Sequence, residues 1–319
     1  MSEQRDRDEL LRAAIAAPSL HNSQPWRLWV TNAGGTIEIF VDPDRNLPVS
    51  DPQGRAAYIG CGAVLLNLRV AARAKGMRAH VALTPAPARP LFVAHVELSE
   101  GCDATPHDRE LAAAISLRHS NREPYDSKPV PQEVRTELTQ AAKSEAGVLR
   151  FLDDNEAVRV LRLASDAERE LLGNPVYRAE LARWVSKERR DDGIPADALG
   201  PRSSVGHDPV RDFAPSRPAP IRYGDFEESP QLAVLSVRAD SAPGWIAAGQ
   251  ALERVWLTAT CRQISLCPLT QPLETPDAWL VADTRWGLDY PQMIMRIGYG
   301  PPVTTRSPRR ALSDVVDWS

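Results

Sequence analysis

Arg118-His119-Ser120-Asn121-Arg122 sets two arginines four positions apart with a serine between them. A guanidinium meets phosphate oxygens through a fork of charge-assisted N–H bonds, so the pentapeptide suits a phosphate monoester. It also reads as a solvated basic cluster with a helix-capping serine, the usual fate of a charge run. A second segment, Pro18-Ser19-Leu20-His21-Asn22-Ser23-Gln24-Pro25-Trp26, holds two amides in a loop stiffened by prolines. Each amide offers a donor and an acceptor, which matches the polar edge of a heterocycle or a hydroxylated chain. The bland alternative is a turn in which Asn22 and Ser23 bond their own backbone. Trp26 reads as core, and His21 alone is weak ground for a general acid.

Two further segments carry polar or basic residues. Ile264-Ser265-Leu266-Cys267-Pro268-Leu269-Thr270-Gln271-Pro272-Leu273 is a proline-bounded connection after an apolar stretch. Arg306-Ser307-Pro308-Arg309-Arg310 is a basic segment of the kind that is most often simply solvated.

The elements that must position these residues repeat. Residues 9–17 are helical in pattern, and Pro18 should stop them. Strands are expected at 26–30 and 36–41. A long, nearly all-apolar helix follows from Gly60, closed by Gly76 and therefore buried, and then a strand at 91–98. The second half runs through a helix at 131–142, a strand at 148–152, a long apolar helix at 244–262 and a strand at 291–299. Sliding the two apolar helices by the distance from Gly62 to Gly249 also pairs Leu65 with Leu252 and Ala72 with Ala259. The preserved order of elements supports a duplication.

Length and composition set the outer bounds. With 319 residues, 43% hydrophobic and 25% charged, the chain has material for one large domain or two fused units. A net charge of −4 offers no general attraction to nucleic acid or anionic membrane, and no apolar run is long enough to span a bilayer. The four cysteines show neither zinc spacing nor a CxxC pair, which points to a reducing, cytoplasmic setting. Gly60-Cys61-Gly62 lacks the third glycine of a dinucleotide fingerprint. Residues 187–230, rich in Pro and Gly and without periodicity, read as a lid or a disordered segment.

Both leading motifs resemble the nitroreductase superfamily, whose chains grip the FMN phosphate with R-[RH]-S-x-[RK] and reach the partner subunit's flavin with P-S-x-x-N-x-Q-P-W. Here their order is reversed. Nitroreductases are intertwined dimers with two flavins. The resemblance, strongest to the Acg-like branch, therefore implies an α+β nitroreductase fold, duplicated and fused into a single-chain pseudo-dimer. Residues 1–108 would form one half, and 109–319 the other with a lid at about 187–230. The first half lacks the phosphate motif. In the second, the loop is reduced to Lys143-Ser144-Glu145-Ala146-Gly147, so one complete site is expected.

That site would draw FMN contacts from Arg118, His119, Ser120 and Arg122, from Pro18, Ser19, Leu20 and Asn22, and from Arg309 or Arg310. The backbone amides of Leu269, Thr270 and Gln271 would face flavin N5 and O4, although relatives carry an acidic residue and Gly where this chain has Thr270 and Gln271. No protein side chain need be catalytic, because hydride is exchanged at N5. The implied activity is NAD(P)H-dependent reduction of nitroaromatic or quinone-type acceptors by a monomer. A flavin store or redox sensor, closed by its lid, is the alternative. A scaffold that binds some other phosphate-bearing ligand is a third reading.

Overall fold

The two larger sheets are helix-backed, one of four antiparallel strands and the other of four antiparallel strands joined by a parallel strand from the C-terminal end. The structure, a computed structural model, describes residues 2–31, 35–83, 89, 91–186, 190–203, 209–213, 216–218, 220–275, 290–303 and 305–318. In the first half α1 (Ser2–Ile15) leads to β1 (Trp26–Val30) and β2 (Thr36–Val41). Both strands alternate inward and outward residues, the period of a half-buried strand. Helix α2 (Arg55–Ala74) starts where the Asp51 carboxylate accepts the amides of Ala56 and Ala57, capping donors that have no intrahelical partner. It ends before Gly76 at φ +77°. Strands β3 (Met77–Ala82) and β4 (Phe92–Glu100) follow.

Helix α3 (Pro106–Leu117), opened by a Thr105–Asp108 capping box, leads into the second half, so the boundary expected at 108/109 falls inside it. Next come α4 (Gln132–Ser144), β5 (Val148–Phe151), α5 (Asp154–Gly173) and α6 (Pro175–Trp184), then β6 (Leu232–Val237) and α7 (Ala242–Cys261), then β7 (Ser265–Pro268), β8 (Tyr290–Gly298) and β9 (Val316–Trp318).

The two sheets share a plan. Their strands lie in the orders β1-β2-β4-β3 and β5-β6-β8-β7, antiparallel throughout, with α2 and α7 each entering after the second strand. Both second strands shift register between their fourth and fifth residues, Ile39/Phe40 and Leu235/Ser236. The halves differ in one large insertion, residues 152–231 between β5 and β6, which holds α5, α6 and the expected lid. Of 187–230, residues 187–189, 204–208, 214–215 and 219 lie outside the described residues; the rest contains short pairings, Val185–Ser186 with Ile194–Pro195 and Arg202–Ser203 with Tyr223–Gly224, and a single 3-10 turn at Ala196–Ala198. Strand β9 returns to pair parallel with β1, which brings the basic segment 306–310 back to the first half.

Helices α2 and α7 cross between the sheets. A Cβ on Gly62 would stand 2.2 Å from the carbonyl oxygen of Ile246, and one on Gly249 would stand 2.0 Å from that of Ile59. The contact is reciprocal, as at a two-fold interface. Around it the buried apolar residues form separate clusters for the two sheets. Trp26 is fully buried in the first. Among the described residues no helix is long and apolar enough to cross a membrane.

Candidate functional site

Two cavities meet where the Pro18–Trp26 loop, the start of the second half and the insertion come together. The polar one, about 250 Å³, is lined by Pro18, Ser19, His21 and Asn22 from the loop, by Arg118, His119, Ser120 and Arg122, and by Arg306 and Arg309. The second, about 100 Å³, is a more apolar slot between Leu20, Ile59 and Gly60 on one side of the chain and Leu252, Trp256, Thr270 and Met293 on the other. Pro18, Ser19, His21, Ser120, Arg122 and Ile194 border both, so the cavities are contiguous. Together they reach the low end of small-molecule sites, roughly 300–1,000 Å³. A larger open hollow of about 1080 Å³, beside α1 and β3, contains none of the candidate flavin-contacting residues.

Four arginines and no carboxylate line the polar cavity. Arg118 is buried over the Trp256 ring, its Nε 3.2 Å from a Glu253 oxygen and its Nη2 donating to Ala16 O at 3.0 Å. Burial raises the Glu253 carboxyl above its usual range, while Arg118 opposes the shift. Among the described residues, Arg309 donates to neutral acceptors: Asn22 Oδ1 and the carbonyls of Ala16, Ala17, Ser307 and Pro308. Burial, then the nearby Arg118, pushes it down to about 9. Arg122 donates to Ala198 O at 2.9 Å and lies over the Phe213 ring; burial lowers its pKa as well. Arg306 is more exposed and donates to Ser116 O. This concentration of incompletely neutralised positive charge favours an anion.

The loop amides do something other than expected. Asn22 Nδ2 donates to Gly193 O and Pro308 O while its Oδ1 receives Arg309. Gln24 Nε2 donates to Asp191 O, and its Oε1 accepts the Arg310 amide. Both amides are used to satisfy buried backbone groups, clamping loop, insertion and C-terminal segment together. Arg310 itself turns away, 3.7 Å from Asp42, and borders neither cavity.

The connection after α7 divides. Thr270 borders the slot, with its hydroxyl accepting Arg211. Leu269 is core, and its amide is committed to Ile294 O at 2.8 Å, a sheet bond that removes it as a ligand donor. Gln271 borders neither cavity and donates to Glu168 at 2.7 Å. His119 lines the polar cavity, its Nδ1 2.7 Å from Leu117 O, and burial lowers its pKa. Ser120 pairs with Leu266 in an isolated parallel bridge that holds the motif against β7.

Several wall residues carried no sequence signal: Trp256 inside a buried helix, Arg55 at the start of α2, and Ile194, Ala198, Arg211 and Phe213 from the insertion. Buried Arg211 is anchored by Glu274 and Tyr177. The insertion is tied to the first half by Glu180, which accepts from Val49 N, Ser50 N and Ser50 Oγ, and by an Arg45–Asp192 ion pair.

The model of the nitroreductase family matches residues 115–299. An uncharacterized protein of Mycobacterium tuberculosis is 32% identical over 95% of this chain and 90% of its own length. The protein of the same organism named "Putative NAD(P)H nitroreductase acg" is 31% identical over 96% and 93%. The chain belongs to the nitroreductase family. Solved nitroreductase structures are similar at greater distance. The FMN-dependent NfnB from Mycobacterium smegmatis in complex with NADPH shows a TM-score of 0.42 and 13% identity, covering 66% of this chain and 98% of its own. The FMN-bound nitroreductase from Bacteroides fragilis shows 0.39 and 14%, covering 63% and 94%.

Proposed function

We propose that this nitroreductase-family chain binds one FMN, with Arg118, Arg122, Arg306 and Arg309 around the phosphate and the slot beside Trp256 and Thr270 taking the ring. The observation that carries the reading is the wall of four arginines without a carboxylate, opening into an apolar slot. A phosphate needs the first and a planar ring the second, so the residues present fit the group. Bound flavin would supply hydride exchange with NAD(P)H and an aromatic acceptor; the protein supplies position, charge and exclusion of water.

The same reading makes the chain a duplicated, fused pseudo-dimer that works as a monomer in the cytoplasm. The shared strand order, the matching register shifts and the reciprocal Gly62–Gly249 contact support it. Among the described residues, a second flavin would find no counterpart of the Pro18–Trp26 loop. The loop equivalent to 16–25 has shrunk to 145–147, where Glu145 ion-pairs with Arg69 and Arg254. Arg69 stands where the repeat would put a second Trp256.

A storage or sensing role is the second reading, favoured by the walls that the insertion gives both cavities through Ile194, Ala198, Arg211 and Phe213. With those walls in place, a nicotinamide has little room beside a bound ring. Titrating apoprotein with FMN, then adding NADPH without oxygen, tests both. One equivalent of FMN and rapid bleaching of its absorbance support a reductase; one equivalent and slow bleaching support a store. Two equivalent sites, or no binding, would overturn the proposal.

A further inference from the structure

Among the described residues, His21 is an uncharged side chain of the site whose bonding is left incomplete, as it is at Nε of the neighbouring Arg118 and Arg309. His21 is 4% exposed, it borders both cavities, and its Nε2 has no hydrogen-bond partner among the described residues. A buried polar atom without a partner is costly, so it marks a place where a ligand or an ordered water completes the bonding. The backbone raises the cost further. His21, Asn22 and Gln24 have φ of +53°, +54° and +51°, a region that side chains other than glycine rarely adopt. Asn22 and Gln24 are fixed there by their amide bonds to Gly193, Pro308 and Asp191. No such bond from His21 Nε2 repays its place in the loop.

Its location narrows the ligand group. His21, Ser120 and Arg122 all border both cavities, so they flank the passage between the arginine-walled cavity and the slot. A ligand filling both must thread its connecting chain past them. In FMN that chain is ribityl, a run of hydroxyl-bearing carbons. We propose that His21 is a specificity-determining residue whose Nε2 hydrogen-bonds a hydroxyl of this linker, so that the site selects a polyhydroxylated connector and not only its two ends. This rests on the flavin reading above. Burial, together with Arg211 and Arg122, keeps the imidazole neutral, and a hydroxyl can serve either form of a neutral ring nitrogen, as donor or as acceptor. A site built to bond a hydroxyl also discriminates strongly against an analogue without it.

The test is a cycle of two ligands against native protein, His21→Phe and His21→Asn. FMN is compared with a flavin phosphate whose linker is a plain pentyl chain, and dissociation constants are read from flavin fluorescence. Native protein should prefer FMN by about tenfold or more, and His21→Phe should weaken FMN by about tenfold while changing the pentyl analogue less than about twofold. His21→Asn, which tolerates the left-handed backbone and keeps a polar group, should recover part of the loss. Equal weakening of both ligands by His21→Phe would make His21 a purely structural residue and overturn the inference. If His21→Phe does not fold, the native preference decides, since equal affinity for the two flavins overturns it as well. Native protein that binds the pentyl analogue as tightly as FMN defeats the His21 role alone; native protein that binds neither defeats the flavin reading itself.

Discussion

Gly62 and Gly249 meet backbone to backbone where α2 crosses α7, each excluding a Cβ through a carbonyl of the other helix. They are also the pair that sliding the two apolar helices over one another superimposes, so residues matched in the sequence touch in the fold. Such self-contact is what a homodimer interface requires and what two unrelated helices need not provide.

Alanine at either glycine should therefore destabilise the chain strongly. The obstructing atoms are backbone, which cannot rotate aside, and overpacking costs about 1–3 kcal/mol or more. Melting should fall on the order of 2–4 °C per kcal/mol in a domain of this kind. Gly60→Ala is the comparison, because its Cβ would meet nothing closer than 3.6 Å. Equal melting temperatures for Gly62→Ala and Gly60→Ala would contradict the close crossing.

Arg122→Ala should weaken FMN by roughly ten- to hundredfold while affecting riboflavin far less, because a hydrogen bond to a charged group contributes about 1.5–3 kcal/mol. Arg310→Ala, outside both cavities, should change neither by more than about twofold. Competitive titration of the two flavins reads the difference. Parallel losses for FMN and riboflavin in Arg122→Ala would place its role away from the phosphate.

Glu253 compensates buried Arg118. Glu253→Leu should cost the apoprotein about 3–5 kcal/mol, the usual result of leaving a buried charge unpaired. An anion binding the native state should return part of it. The FMN-induced rise in melting temperature should therefore be larger in Glu253→Leu than in the native protein. An equal or smaller rise would mean that Glu253 does not share its electrostatic work with the ligand.

The elements legible in the sequence were those with strong period or punctuation. The buried helices near Gly62 and Gly249 declared themselves through apolar residues on every face, and β1 and β2 through alternation. Helix α2 nonetheless begins at Arg55, before its glycines, because its cap comes from Asp51 rather than from the adjoining residue. Helices α3 and α5, both opened by capping boxes, went unmarked. In the site, the arginine pentapeptide and the proline loop named their own positions. Arg211, Phe213 and Trp256 could not do so, since proximity made by an eighty-residue insertion or by a helix crossing leaves no local pattern. The side-chain amides of Asn22 and Gln24 were legible as polar groups, but not as clamps between three distant segments.

His21 ties stability to acid. Burial first, then Arg211 and Arg122, hold its pKa well below the ordinary 6.5. The unfolded chain therefore takes up this proton more readily, so the associated stability is present above pH 6.5 and is lost as pH falls from 6.5 toward the folded-state value. Urea unfolding at pH 7.5 and pH 5 should show a smaller decline for His21→Phe than for native protein. Identical declines would mean that His21 is already charged in the folded state.

The final prediction separates reductase from store through Glu180. This one carboxylate accepts three hydrogen bonds from Val49 and Ser50, fastening the insertion to the first half at a point away from both cavities. Glu180→Ala should release that fastening and raise the population in which the insertion stands clear. A state open about one time in a hundred reduces apparent affinity by that factor, and any variant that opens it further restores the difference. NADPH must stack on the ring, whereas dithionite is small and need not. With FMN loaded, Glu180→Ala should accelerate reduction by NADPH several-fold and leave reduction by dithionite unchanged, with FMN affinity preserved by Arg122 and Arg309. Stopped-flow absorbance under argon measures both rates. If the native protein is already reduced as fast by NADPH as by dithionite, the insertion is no barrier and the storage reading falls.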